Sequence, residues 1–250
     1  MSENIGQTRI QQENVKSLFL VSSAIHTRFG VYDTRKRVEQ TIDTCNSIRE
    51  RCDAEIILLD GGEKLVSEED RHCLSGHVDR VYDFSGEDTV KNIQKSNSWD
   101  VVKNMIEIVM YGSFFDLMIA GKVKLPTYRR IFKLSGRYIL NNDFNYDMHM
   151  NARGMIVIRG PFASQFKPEI TGGVSLQYMS RLWSFDARLL PYIRDKYVEM
   201  FKHMNDRLRH GGYIDIEHLL FYHLDKGMIQ NPKTIGVEGN IAPNGMRVSD

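Results

Sequence analysis

Hydrophobic positions along this chain follow two alternating rhythms. Four short apolar runs, "VKSLFLVSSAI" (15–25), "AEIILLDGG" (54–62), "DRVYDF" (79–84) and "RRIFKL" (129–134), read as strands. Between them the period lengthens. In "RKRVEQTIDTCNSIRER" (35–51), Val38, Ile42, Cys45 and Ile48 recur at spacings of four, three and three, which stacks them on one face of a helix. "SEEDRHCL" (67–74) predicts a short helix, with Ser67 and Asp70 in the capping-box relation. A longer helix is predicted from near Ser98 to near Met118, with Val102, Ile106, Val109 and Met110 turned inward.

Strands alternating with helices imply βαβ units and a mostly parallel sheet, an α/β fold. Near-continuous apolar strands imply helices on both faces of that sheet. Ligands then bind outside the carboxyl ends of the strands. The residues at those ends are Ser22, Ser23 and Arg28 after the first strand, Asp60, Gly61 and Gly62 after the second, and Ser135, Gly136 and Arg137 after the fourth. The second half mixes α and β. "GMIVIRG" (154–160) and "SLQYMSRLWSF" (175–185) read as strands joined by a Gly- and Pro-containing loop. A long helix over 187–212 ends at Gly211-Gly212, with Pro191 near its start. "IDIEHLLFYHL" (214–224) is a further helix, and the tail "IGVEGNIAPNGMRVSD" (235–250) reads as loop. No composition shift marks a boundary, so residues 1–250 are expected to form one domain, with 1–14 a polar, frayed start that lacks the apolar stretch of a signal peptide.

Composition narrows the function classes. With 33 basic and 32 acidic residues, no bulk charge drives the chain toward nucleic acid or a membrane surface. Three cysteines, Cys45, Cys52 and Cys73, are odd in number and form no C-x-x-C pair, so reduced thiols in a cytoplasmic setting are expected. The most apolar stretch, "IEIVMYGSFFDLMIAG" (106–121), carries Glu107 and Asp116 and is too short and too charged to span a bilayer. Dinucleotide-binding, P-loop, α/β-hydrolase and zinc-protease signatures are absent from the sequence.

Several residues carry candidate chemistry, each with a plainer alternative. Asp60, ending an apolar strand before two glycines, suits a ribose or base edge, and equally an ordinary turn. Arg137, in the small corner Ser135-Gly136-Arg137, suits a phosphate, or is simply an exposed strand-end arginine. Trp99, Lys103 and Glu107 share one helical face. Lys103 lies near a helix start, where anions are favoured, whereas Lys103–Glu107 reads as a solvent pair. Asp215 and Glu217 flank a helix start anchored by Leu219, Leu220 and Leu224, so either is a held carboxylate fit for a general base, or ordinary acid enrichment on a helix dipole.

Taken together, "FLVSSAIHTRFGVYDTRKRVEQTIDTCNSIR", "IILLDGG", "WDVVKNMIE", "RIFKLSGRY", "YMSRLWSF" and "GGYIDIEHLLF" resemble nucleotide-sugar glycosyltransferases of the GT-A (Rossmann-like) fold. More narrowly, they resemble those of large DNA viruses and aquatic phages. The resemblance spans most of residues 16–240 and implies a nucleotide-binding half (15–140) and an acceptor and catalytic half (141–250). It implies a donor, most simply a UDP-sugar, whose nucleoside meets Asp60, Gly61, Ser22, Ser23 and Arg28. Its diphosphate would meet Lys103, Ser135, Gly136 and Arg137. A glycan acceptor would lie near Tyr178 and Trp183, although Trp183 also reads as core. Glu217, or else Asp215, would be the base of an inverting reaction. The family places a D-x-D metal motif at the end of its fourth strand. Ser135-Gly136-Arg137 stands there instead, so no metal cofactor is expected, with Asp143 as the ligand of a manganese or magnesium alternative. A nucleotidyltransferase and a non-catalytic nucleotide- or sugar-binding protein are the rival readings. The sequence assigns no oligomeric state.

Overall fold

The computed structural model describes residues 16–123, 127–240 and 245–250; the expectation of a frayed start falls outside them. The first half runs β1 (Lys16–Ser23), α1 (Thr34–Arg51), β2 (Ala54–Asp60), α2 (Glu68–Leu74), β3 (Arg80–Asp83), α3 (Asp88–Gln94), α4 (Trp99–Ile119) and β4 (Tyr128–Ser135). The second continues through β5 (Tyr138–Leu140), α5 (Tyr146–Asn151), β6 (Ile156–Val157), β7 (Phe162–Ala163), α6 (Pro168–Thr171), β8 (Leu176–Gln177) and β9 (Leu182–Asp186). It closes with α7 (Leu190–Arg209), α8 (Ile216–His223), β10 (Ile229–Gln230), β11 (Val237–Asn240) and β12 (Arg247–Ser249).

The main sheet has seven strands in the order β10-β6-β9-β4-β1-β2-β3. The run β4-β1-β2-β3 is parallel, and β9 lies antiparallel between β4 and β6. Both faces are covered, which is why the strands lack a polar side. Leu18, Leu20, Ile57, Leu59 and Ile131 pack in one core with α4, α7 and α8; Phe19, Val21, Ile56, Leu58, Phe132 and Leu134 pack in the other with α1 and α5. Phe19 and Phe132 stack flat, with centroids 4.2 Å apart. The chain leaves β1 for β2 on one side and later returns as β4 on the other, so the strand order reverses at β1. The ends of these three strands are level, Ser23 beside Asp60 and Ser22 beside Ser135. A crevice opens at such a reversal point.

Two sequence expectations need correction. "SLQYMSRLWSF" is not one strand: β8 pairs with β7 in a separate two-stranded ribbon, and β9 crosses into the main sheet. The tail is not all loop, because β11 pairs with both β12 and β5 in a three-stranded sheet. "VEGN" has no alternation to announce a strand; its partner is Tyr138–Leu140, nearly a hundred residues away in the chain and invisible to a local pattern.

One buried group sets an expected pH dependence. His149 is enclosed between Phe132 and Phe144, with Nδ1 2.7 Å from Ser184 Oγ. Burial, and then the charge of Arg130, push its pKa down to about 3. The unfolded chain accepts that proton at about pH 6.5, whereas the folded chain refuses it. This contribution to stability is therefore complete above about pH 6.5, and it is lost as pH falls, at about 1.4 kcal/mol per pH unit. Denaturant midpoints measured at neutral and acid pH should show that loss, and His149→Gln should reduce it.

Candidate active site

The ends of β1, β2 and β4 border a cavity of about 310 Å³, lined by residues between Ser22 and Arg137. Ser22, Ser23, Gly61, Lys103, Ser135, Gly136 and Arg137 all line it, so seven residues scattered over the sequence converge as expected. Two glycines make the convergence possible. The Gly136 N–H donates to Ser22 O at 2.8 Å, and a Cβ there would sit 3.0 Å from that oxygen. A Cβ on Gly61 would meet Ile106 Cγ2 at 2.4 Å, so this glycine lets α4 lie against the strand end. Close packing of the helix, rather than access for a flat ligand ring, is what Gly61 provides.

The cavity's charged wall is basic. Arg37, in the first turn of α1, donates to Phe29 O at 2.9 Å and Tyr32 O at 3.3 Å. That turn holds no acidic residue but carries Arg35, Lys36 and Arg37, against the preference of a helix N-terminus for negative charge. Arg137 lies across the Tyr138 ring at 5.7 Å, with Arg181 on the same ring at 5.6 Å, and its Nε is buried without a partner. Burial first, and then Arg137, hold the Arg37 pKa below its ordinary value, with Asp60 acting weakly the other way. Lys103 stands 5.9 Å from the Trp99 ring. Among the described residues none of Arg37, Lys103 and Arg137 forms an ion pair. Three cations and one carboxylate, Glu107, line the cavity, and Lys133 already pairs with that carboxylate, so the excess positive charge makes a site for a multiply charged anion.

The acidic groups divide by role. Asp215 caps α8: Oδ1 accepts from the His218 N–H at 3.0 Å and lies 2.5 Å from His218 Nδ1. His218 Nε2 in turn lies 2.7 Å from Ser164 Oγ, fastening the loop before α6. Asp215 is thus buried, with Oδ1 engaged both in the cap of α8 and with His218, a structural role. Glu217 is half-buried, with Oε1 accepting from Ser180 Oγ at 2.5 Å. Burial works to raise its pKa, but Lys103, the Ser180 hydroxyl and Lys133 outweigh burial and leave the carboxyl below its ordinary range, ionised. Glu107 does not pair with Lys103 in solvent; it is buried on the cavity wall and pairs with Lys133 at 2.7 Å.

Other candidates fall outside the cavity. Asp60 is 0% exposed and lies beneath it, with Oδ2 accepting from Ser23 Oγ (2.5 Å) and Ile25 N (2.9 Å) and Oδ1 from Gly62 N (2.9 Å). It shapes the loop and has no oxygen free for a nucleoside. Asp60→Ala should therefore lower the urea midpoint rather than raise the donor KM alone, since each buried donor left unpaired costs about 1–3 kcal/mol. Arg28 is turned outward, donating to Gln94 O at 2.5 Å and to Ser96 O, so it pins the α3–α4 connection. Trp183 is 0% exposed, packed on Phe185 in the core. Tyr178, 3% exposed, packs on Phe221 under Lys226. Neither ring is open to an acceptor. Asp143 is exposed, beyond β5 and next to Asn142, which Arg51 at the far end of α1 holds at 3.2 Å. An 18-residue helix is about 27 Å long, so Asp143 sits at the opposite end of the sheet from Arg37.

Sequence reasoning passed over Arg37, Lys133 and Ser180, and read Glu107 as half of a solvent pair. Two signals were present: a basic first turn where acids are favoured, and a lysine inside a strand buried on both faces.

The fold is that of the GT-A glycosyltransferases. It is similar to the galactosyltransferase LgtC, solved with donor and acceptor sugar analogs, at a TM-score of 0.51 and 10% identity over 86% of this chain and 72% of that one. It is also similar to core-mannan synthase A from Aspergillus fumigatus in a Mn/GDP form, at a TM-score of 0.50 and 11% identity over 96% of this chain and 79% of that one. No protein-family model matches the chain, and no curated protein matches it in sequence. The manganese of the second structure calls for a test of fit here. The β4 exit offers a hydroxyl, a glycine and a guanidinium, and among the described residues no group of three or more His, Cys, Asp and Glu side chains is placed to hold a metal ion. These residues do not fit a divalent cation. No helix among the described residues is long and apolar enough to cross a membrane.

Proposed function

We propose that this chain is a glycosyltransferase that moves a sugar from a nucleotide-diphosphate donor, a UDP-sugar first among candidates, to a hydroxyl on a glycan. The observation that carries this reading is the trio of cations Arg37, Lys103 and Arg137 around a cavity at the reversal point of a GT-A fold. A nucleotide fits such a volume. In the reaction, Glu217 accepts the acceptor's hydroxyl proton and the oxygen attacks the anomeric carbon. The bond from that carbon to the diphosphate breaks, and the electron pair leaves on the diphosphate oxygen. The three cations stabilise that charge as it develops, the role a bound metal takes elsewhere. Attack from the face opposite the leaving group inverts the anomeric centre. Residues 15–140 supply the donor site, and residues 141–250 supply the base and the acceptor side. A viral or phage source rests on the sequence segments alone, and a place in the cytoplasm on the number and spacing of the cysteines.

The test is incubation with a panel of nucleotide sugars, with free nucleoside diphosphate as the readout. Release should occur and should persist in EDTA. Pyrophosphate release would favour a nucleotidyltransferase, and no release from any donor would favour a binding protein. Complete loss in EDTA, restored by manganese, would overturn the metal-independent part.

A further inference from the structure

Lys133 lies within a strand whose other residues between Arg130 and Leu134 are apolar, and it is 1% exposed. Burying an ammonium is costly unless it is paired and hydrogen-bonded. Here Nζ donates to Ser135 Oγ at 2.9 Å and to Ser180 O at 2.6 Å, and Glu107 Oε1, 2.7 Å away, supplies the counter-charge as an ion pair without a hydrogen bond. Two of these partners, Glu107 and Ser135, line the cavity, whereas Lys133 itself does not. The third leads on, because the Ser180 hydroxyl donates to Glu217 Oε1 at 2.5 Å. One buried cation therefore ties the floor of the donor cavity to the proposed base through a single residue. An apolar side chain would fill the position without any desolvation cost, so packing does not account for a lysine here.

We propose that Lys133 is a positioning residue for transfer, which rests on the function proposed above: its ammonium fixes the Ser180 peptide and so orients Glu217 against the donor site. The groups that face Glu217 are Lys103 and Asp100 from α4, Lys133 from β4, and Asp215 and Tyr213 from the segment entering α8. Of the two lysines, Lys103 lines the cavity and is available to the donor, whereas Lys133 is committed to protein partners.

Lys133→Met and Ser180→Ala test this. Removing the charge, or the hydroxyl that relays it, should raise the pKa of Glu217. The acid limb of kcat should then move to higher pH by about one unit in Ser180→Ala, and by less in Lys133→Met, because the Ser180 hydroxyl acts on Glu217 more strongly than the Lys133 charge does. The donor KM should stay within about twofold. The Glu217 carboxyl, followed by its ¹³C shift without substrate, should titrate higher in the same order. Should Lys133→Met fail to fold, Ser180→Ala decides alone, because it leaves the Lys133–Glu107 pair intact. An unmoved acid limb and an unmoved ¹³C titration in Ser180→Ala would reduce Lys133 to a core residue. The carboxyl titration needs no turnover, so a wild-type protein that transfers no sugar would sink the function alone and leave the Lys133–Glu217 link to be judged by the titration.

Discussion

Glu217→Gln should lower sugar transfer by about 10²–10⁴-fold and leave nucleotide binding intact. Glutamine keeps the shape and still accepts the Ser180 hydroxyl, but it cannot take up a proton. The effect should fall on kcat, because Glu217 does not line the donor cavity. Asp215→Ala supplies the contrast. Asp215 caps α8 and holds His218, which fastens the Ser164 loop. Losing the cap costs about 0.5–2 kcal/mol, and a buried imidazole would lose its partner as well. That variant should unfold at lower denaturant concentration while its folded fraction turns over. Equal, small activity losses from both variants would remove α8 from the chemistry.

The contrast between these two acids shows how far the sequence could be read. Both stand at a helix start, and both look like held carboxylates. What separates them is a neighbour far along the chain: Ser164, reached through His218, for Asp215, and Ser180 and Lys103 for Glu217. The strands β1 to β4 and the helices α1 and α4 were legible because two-sided burial and a single apolar helix face write themselves into local periodicity. The strand exits followed from topology, and six of their expected residues meet Lys103 of α4 at one cavity. Asp60 was misread because a carboxylate that accepts from Ser23, Ile25 and Gly62 inside a turn looks, in one dimension, like one offered to a ligand. Tyr178 was taken for a sugar platform, and Trp183 was left between platform and core, for the same reason, since aromatic character marks both alike. Lys133 was passed over as a strand residue, although its inward register already required a buried counter-charge.

Arg137→Ala should give the second large effect, on the leaving group. Arg137 lies two residues past the end of β4 at the cavity, half-buried, with its guanidinium over Tyr138 and its Nε without a protein partner. A permanently charged fork held in this way costs little to reorganise when charge develops on a diphosphate oxygen. Removing one such contact typically costs about 2–4 kcal/mol in the transition state, or about 10²–10³ in kcat. The fold should lose little, because the ring contact is worth about 0.5–1 kcal/mol at a partly exposed site. Arg37→Ala should also weaken transfer. It should disturb the loop after β1 as well, since Arg37 donates to Phe29 O and Tyr32 O, so its thermal midpoint should fall further than that of Arg137→Ala. Arg137→Lys should recover only part of the rate, because an ammonium cannot fork onto two phosphate oxygens. A folded Arg137→Ala protein that turns over within about twofold of wild type, in EDTA, would show that the diphosphate is stabilised elsewhere. The two remaining cations of the wall, Arg37 and Lys103, would then be the next to test.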